Sequence, residues 1–454
     1  MKKILPLLIA LVIAPNASAE NLIQVYEQAR QTNPELKSAF ADKEKAYSAI
    51  TGSRASLLPF LGLDASYGFS RGYRDADEQN GRSGELSLKL SQSLFDFSSW
   101  KTLDITKKQA SVMDIAYQAQ EQGLILTTSI NYFGVLKALD TLKFIEAQKA
   151  AIYRQLEQTR QKHRVGLVAI TDVQNAQANY DLTIAEQVTA INNVNNALED
   201  LRQVSGRFYA NLAEIDTKTF KTEQPIHISK LLSQSENSNL DLLTARLSQD
   251  VAKDQIRLAQ AGHMPTLTLN ASTGIAKNET YGSRNGYNQS TQTYQYAHNK
   301  SYTGQHRVGV TFSLPIFTGG ATMSQVQQAQ YNYVSFSEQL EKINRQVINN
   351  VRSSYNDISA AISSINAYEQ TVISAQSSLD ATQSGYEVGT RTIVDVLTAT
   401  TQLYDAKKKL SDAKYGYLVS LLTLKSAMGT LNADDLTILN NMLGKEASTL
   451  VAMN

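Results

Sequence analysis

Cysteine is absent from the 454 residues, which excludes disulfides, thiolate metal sites and lipid attachment through an N-terminal cysteine. Only 7 prolines occur, and two long stretches, 98–163 and 321–385, contain none. After the first twenty residues no run approaches the roughly 18 consecutive apolar residues of a membrane-spanning helix. Any entry into a membrane is therefore by strands. Neither sign of charge prevails, with 43 Lys and Arg against 42 Asp and Glu, and no basic cluster forms, so nucleic acid is not an expected partner. The five histidines, His163, His227, His263, His298 and His306, lack metal-ligand spacing. There is no P-loop, no G-x-G-x-x-G and no G-x-S-x-G. Neither metal, cofactor nor catalytic site is expected.

What the chain does have is a sentence said twice. The stretch 388–399 matches 165–176 at V-G-x-x-x-I-x-D-V-x-x-A, 223 positions apart. In each copy valine and glycine end one helix, and Thr or Asp side chains that follow supply oxygens to the bare N–H groups opening the next. Each copy reads as the tip of an antiparallel helical hairpin. Leu201, Arg202 and Gly206 match Leu424, Lys425 and Gly429 at the same spacing, and 58–66 echoes 264–272 at a spacing of 206. One unit made twice is the expected organisation.

Residues 1–19 read as a secretory leader: Lys2 and Lys3, an apolar run over 4–14, then Ala17-Ser18-Ala19. Helix is predicted over 21–57 with a break at Asn33-Pro34. Period-two alternation predicts strands of about ten residues at 61–70, 85–95, 266–276 and 307–317, separated by polar loops at 71–84 and 277–305. The proline-free stretch 98–163 predicts a helix roughly 100 Å long. After the first tip comes a helix over 171–205, then a connection with a short helix from Ile228, and a helix over 240–261. A second long helix follows Gly319-Gly320, and the helix after Asp395 carries Leu403, Ala406, Leu410 and Ala413 in a coiled-coil-like seam. The expected divisions are 1–19, a first repeat 20–227 with its tip at 165–172, a second repeat 228–429 with its tip at 388–395, and a tail 430–454.

Four strands are too few to close a membrane barrel, for which about eight is the usual minimum, and open edges are not tolerated in lipid. Several copies must pool strands. At this point Val25-Tyr26, Asn33-Pro34-Glu35-Leu36, Ser93-Leu94-Phe95-Asp96, Tyr153-Arg154-Gln155-Leu156, Ser313-Leu314-Pro315-Ile316 and the two tips carry a resemblance over residues 20–440. The chain resembles the TolC family of outer-membrane efflux proteins. The resemblance implies a mainly helical chain with membrane β structure. Three copies would form a twelve-stranded β-barrel in the outer membrane of a Gram-negative bacterium, continuous with an α-helical tube across the periplasm. It also implies partners: periplasmic adaptor proteins and inner-membrane pumps of RND, ABC or MFS type, which together expel drugs, bile salts and toxins.

Several tip residues admit two readings. Asp395 and Asp172 are helix-opening caps, or, by resemblance for Asp395, members of an anionic ring at a pore constriction. Relatives of this family carry a second aspartate three residues on, where this chain has Thr398. Tyr386 is a helix-end aromatic and Arg391 a solvated charge, or, by resemblance, Arg391 bonds Thr171 and Asp172 while Tyr386 bonds Asp172, as links that hold a gate. Gly166 and Gly389 end helices, and the resemblance makes Val165, Gly166 and Leu167 with Val388, Gly389 and Thr390 adaptor-docking grooves. Tyr67, Phe69, Tyr73, Tyr281, Tyr287 and Tyr302 are candidates for an interfacial aromatic girdle. A trimeric adhesin would carry its strands at one terminus, whereas these are internal to both halves. A periplasmic adaptor would lack membrane strands.

Overall fold

The computed structural model describes residues 19–74, 77–214, 220–441 and 444. The expected leader, apart from Ala19, lies outside them, as does most of the tail beyond Asn441. The chain runs α1 (Leu22–Thr32), α2 (Pro34–Ala55), β1 (Phe60–Arg74), β2 (Asp77–Phe95), α3 (Phe97–Arg164) and α4 (Ile170–Ser205). The same order then returns as α5 (Ile228–Ser238), α6 (Leu240–Gln260), β3 (Thr266–Asn288), β4 (Thr293–Ser313), α7 (Ala321–Glu387) and α8 (Ile393–Ala427), with a final α9 (Ala433–Asn440). Two compact units form, one from 1–40, 116–243 and 342–454, the other from 41–115 and 244–341. Each unit draws on both halves of the sequence.

In the first unit the helices meet around Leu22, Val25, Tyr132, Leu136, Leu201 and Tyr417, all fully or almost fully buried. Burying such side chains stabilises by about 1.5–3 kcal/mol each. Two asparagines pin the helix junctions. The Asn33 N–H closes α1 on the Ala29 carbonyl, its Oδ1 accepts from Leu36 N at 3.0 Å to open α2, and its amide donates to the Val204 carbonyl at 3.4 Å. The second half repeats this bond for bond. The Asn239 N–H closes α5 on Ser235, its Oδ1 accepts from Leu242 N at 2.9 Å, and its amide donates to the Ala427 carbonyl at 2.8 Å. Beside them the Thr32 hydroxyl donates to the Ser205 carbonyl and the Ser238 hydroxyl to the Met428 carbonyl, both at 2.7 Å.

The second unit contains one antiparallel sheet in the order β1-β2-β3-β4. The strands are longer than the sequence predicts, at 15, 19, 23 and 21 residues. The polar stretches 71–84 and 277–305, expected as loops, largely continue the ladder, which pairs Arg74 with Asp77 and Asn288 with Thr293 at its ends. Backbone pairing does not require an apolar face, so the alternation that marks a strand fades before the strand ends. β4 stops at Ser313, short of the expected 317, because Pro315 has no N–H to give the ladder. Register sorts the side chains. Leu61, Leu63, Leu88, Leu90, Val308 and Val310 share one face, and Asp64, Ser87, Lys89, Asn270 and Ser272 lie on the other, where Lys89 meets Asp64 at 3.0 Å.

Outside the sheet this unit is held by ion pairs around Asp254 on α6. Lys108 reaches its carboxylate at 2.7 Å, Arg257 at 3.4 Å and Lys101 at 3.6 Å. Burial pushes the Asp254 carboxyl up, and the hydrogen bond and charge of Lys108, with Lys101 and Arg257, hold it below its ordinary value.

The paired junctions generate a test. Gly206 and Gly429 end equivalent helices with φ of 71° and 72°, a region that costs other residues about 1–2 kcal/mol. A Cβ at 206 meets Thr32 at 3.4 Å, whereas one at 429 falls 2.2 Å from the Ser238 carbonyl oxygen and 2.6 Å from Asn239 Cα. Gly206→Ala is therefore expected to lower stability by about 1–2 kcal/mol and Gly429→Ala by clearly more, as read by denaturant unfolding. Equal losses overturn the junction as described.

Candidate functional site

The two tips are built by one chain-reversal device. At the first, the Gly166 N–H donates to the His163 carbonyl and the Leu167 N–H to the Lys162 carbonyl, both at 2.9 Å. At the second, the Gly389 N–H donates to Tyr386 at 3.3 Å and the Thr390 N–H to Gly385 at 2.8 Å. These are the paired bonds that close a helix through a left-handed residue, and Gly166 and Gly389 supply it with φ of 78° and 82°. Val165 and Val388 are left 70% and 77% exposed, and Leu167 73%. Each tip thus presents bare apolar side chains next to a glycine.

The helices leaving the tips open differently. Thr392 caps α8: its hydroxyl accepts from Asp395 N at 3.3 Å, while the Asp395 carboxylate accepts from Thr392 N and from its hydroxyl, both at 2.9 Å. Asp395 is therefore the fourth member of a capping box, with Thr392 as the cap itself. At the first tip the position equivalent to Thr392 is Ala169, which has no acceptor, and α4 opens without a side-chain cap. The sequence expectation of side-chain caps in both copies fails here for want of one oxygen. Asp172 stands in the first turn of α4, half-buried, where its charge still favours the helix dipole.

Donation from the backbone N–H of Thr392, with help from its hydroxyl, holds the Asp395 carboxyl below the ordinary carboxylate range, and Arg391 adds to this. Behind the tips, Ile152, Leu156, Ala176, Tyr386, Ile393, Val396 and Leu397 form a small core of their own. Tyr386 is 7% exposed. Its hydroxyl lies 3.4 Å from the Thr159 hydroxyl and the Lys162 ammonium sits 3.8 Å above its ring. Gln155, one turn further up α3, donates to the Thr400 hydroxyl at 3.0 Å.

The structure thus brings Asp395 to Thr392 and seats Tyr386 against α3. Within the chain no hydrogen bond joins Tyr386 or Arg391 to Thr171 or Asp172 among the described residues, and the Arg391 stem instead lies over Gly385. Gln155, Thr159 and Lys162 are partners that sequence reading missed. Their spacing of four and three places them on one face of α3, and that face ends at the tip.

A chain that alternates a two-faced sheet of long strands with long helices, and reverses twice at matched glycine tips, has the parts of an outer-membrane duct. It belongs to the outer membrane efflux protein family, which it matches over residues 25–207 and 231–430. It is similar to outer membrane protein TolC of Escherichia coli strain K12, with 54% identity over 452 residues that cover 99% of this chain and 91% of that protein. The alkaline protease secretion protein AprF of Pseudomonas aeruginosa is 29% identical over 441 residues, covering 94% and 88%. Among solved structures, the Campylobacter jejuni CmeC outer membrane channel has the same fold, with a TM-score of 0.76 at 19% identity over 93% of this chain and 89% of that one. The chain is an outer-membrane protein of the efflux and secretion class.

The unequal caps can be tested by exchange. Ala169 has φ −74° and ψ 157°, close to the −92° and 162° of Thr392, so threonine fits there without strain and faces Asp172 at the capping-box position. Ala169→Thr is expected to stabilise by about 1 kcal/mol and Thr392→Ala to destabilise by about as much, as measured by thermal unfolding. No gain from Ala169→Thr would show that the first tip is not opened as described.

Proposed function

We propose that three copies of this chain close a twelve-stranded barrel in the outer membrane, continuous with a periplasmic helical tube, and act as a passive exit duct. The observation that carries this is the sheet. Four long strands with one apolar and one polar face suit lipid outside and water inside, but leave β1 and β4 as open edges, which lipid does not tolerate. Pooling strands removes every edge. Energy for transport then comes from the partners, inner-membrane pumps of RND, ABC or MFS type, joined through periplasmic adaptors. The cargo is drugs, bile salts or protein toxins, in keeping with relatives named for efflux and for protease secretion. The chain is read as two repeats, 20–227 and 228–429, that share the work equally.

The tips are the gate in this reading. Bare Val165 and Leu167 beside Gly166, and Val388 and Thr390 beside Gly389, form the grooves that receive an adaptor. Three Asp395 carboxylates meet at the constriction as an anionic ring, and capping α8 is a compatible second role. With Thr398 at the neighbouring position the ring holds three charges rather than six, so divalent block and cation selectivity are weak. Tyr386, Arg391, Thr171 and Asp172 are the links that keep the tip closed in the trimer. The long 3.4 Å contact of Tyr386 with Thr159 is readily exchanged for a better acceptor.

Single-channel conductance in a planar bilayer tests the duct and the gate together. The wild type is expected to pass a small cation-selective current that rises several-fold in Tyr386→Phe with Arg391→Ser. A large wild-type current indifferent to both changes moves the gate elsewhere, and no current from a confirmed trimer removes the duct reading. Asp395→Ala should abolish divalent block and Thr398→Asp should deepen it. Because Asp395 is held ionised below the ordinary carboxylate range, cation selectivity should survive acidification past about pH 4. In Thr392→Ala, which keeps the backbone donor but loses the hydroxyl, selectivity should fail at a higher pH than in the wild type. Loss at the same pH in both removes the cap from the account.

A further inference from the structure

We infer that the hairpin end of the apolar sheet face binds the phosphates of a phosphorylated glycolipid in the outer leaflet. The inference rests on the barrel reading above, which turns this face to lipid. Following the face along the strands away from the helices, leucines and valines give way to Tyr67, Phe69 and Tyr302, aromatics of the kind that settle at a membrane interface. Level with them in register, on the same face, stand Lys277 beside Tyr302, and Arg82 and Lys300 beside Phe69, with Arg71 one row further along β1. Among the described residues the one carboxylate in this group is Glu279, which meets Lys277 at 2.7 Å and Lys300 at 3.6 Å. Arg82, Lys277 and Lys300 around this one acid leave an excess of positive charge at the depth of the aromatics. A neutral or zwitterionic lipid gives no reason for that, and an anionic headgroup does.

The cluster is also shaped. The Arg82 guanidinium lies over the rings of Phe69 at 5.2 Å and Tyr281 at 5.8 Å. Tyr281 in turn stacks on His298 at 4.2 Å and donates to Glu279 at 2.8 Å. Stacking fixes the flat faces of the guanidinium, and its N–H donors lie in the edge, the geometry that suits a phosphate taken two oxygens at a time. A hollow of about 520 Å³ sits here, lined by Phe69, Arg71, Arg82 and Tyr281. A second hollow, of about 470 Å³, lies nearer the apolar band, where Gly84 and Gly304 leave room between Leu86, Ile275, Lys277 and Tyr302. The lower hollow is lined for an alkyl chain and the upper one for an anion. A phosphorylated sugar carrying acyl chains presents both at this spacing from the interface.

The test uses the detergent-purified full chain and native mass spectrometry. The probes are a bis-phosphorylated acylated disaccharide, its dephosphorylated form, phosphatidylethanolamine and inorganic phosphate. The wild type is expected to retain the bis-phosphorylated glycolipid in preference to the other lipids. Arg82→Ser with Lys300→Ser should weaken retention roughly tenfold or more, and Glu279→Gln, which releases two lysines, should strengthen it. Equal retention of the dephosphorylated lipid, or of the glycolipid by the double variant, overturns the site. Displacement of the glycolipid by millimolar inorganic phosphate overturns the lipid as its source and leaves a simple anion site. Conductance of the same variants in a planar bilayer separates the two readings: channels that conduct but retain no glycolipid defeat the site alone, and variants and wild type that neither conduct nor retain it defeat the barrel.

Discussion

The asparagine at each helix junction is the constraint on which the helical unit depends. Asn33 and Asn239 are nearly buried, and a buried amide with an unmet donor or acceptor costs on the order of 1–3 kcal/mol. Each meets the requirement in three directions at once: it ends one helix, opens the next, and donates to the carbonyl end of the helix returning from the tip. Carbonyls in the last turn of a helix have no partner within it. The junction therefore satisfies three otherwise orphaned groups with one residue, two of them through its side chain, and it fixes where α4 and α8 must stop. Their stop determines how far each tip lies from the junction. Thirty-odd residues of helix in both hairpins, 36 and 35, follow from two identical anchors.

From that anchor the tips acquire their unequal character. The backbone reversals match to within a few degrees at Gly166 and Gly389, so the difference lies in side chains alone. The second tip has a complete capping box, a buried tyrosine and an arginine folded over Gly385. The first has Ala169 where a cap belongs. Hydrogen bonds that hold Asp395 in place also keep it charged, which is the state a cation-selective constriction requires. In the proposed constriction one interaction thus serves both the helix and the pore.

Much of this was legible in the sequence. The repeat at the tips, the proline-free helices and the break at Asn33-Pro34 were readable because each rests on a local rule, whether glycine in a left-handed turn, proline as a stop or apolar residues at helical steps. The full strand lengths were not, since the ladder past Arg71 and Lys277 is held by backbone groups that carry no residue signature. The break before Leu240 was readable too, but the part Asn239 plays in it was not. Asn33 is announced by the proline after it, whereas Asn239 stands between two helices with no such mark beside it. Thr159 and Lys162 became visible only when Tyr386 was placed, since their partner is more than 220 residues away in sequence.

The sheet imposes a different demand from the helices. Within the helical unit both asparagine junctions are closed by groups of the same chain. The sheet cannot close its own account of donors and acceptors: β1 and β4 each keep one unpaired edge. In water those groups are solvated at little cost, and in hydrocarbon each is worth several kcal/mol. In the proposed trimer, strand pairing between chains must accompany passage into lipid, because a single sheet in lipid would expose two full rows of bare groups. The polar face, with Asp64, Lys89 and Asn270, adds the same requirement from inside, since it too must meet water. Both demands are met together when the edges pair and enclose a lumen.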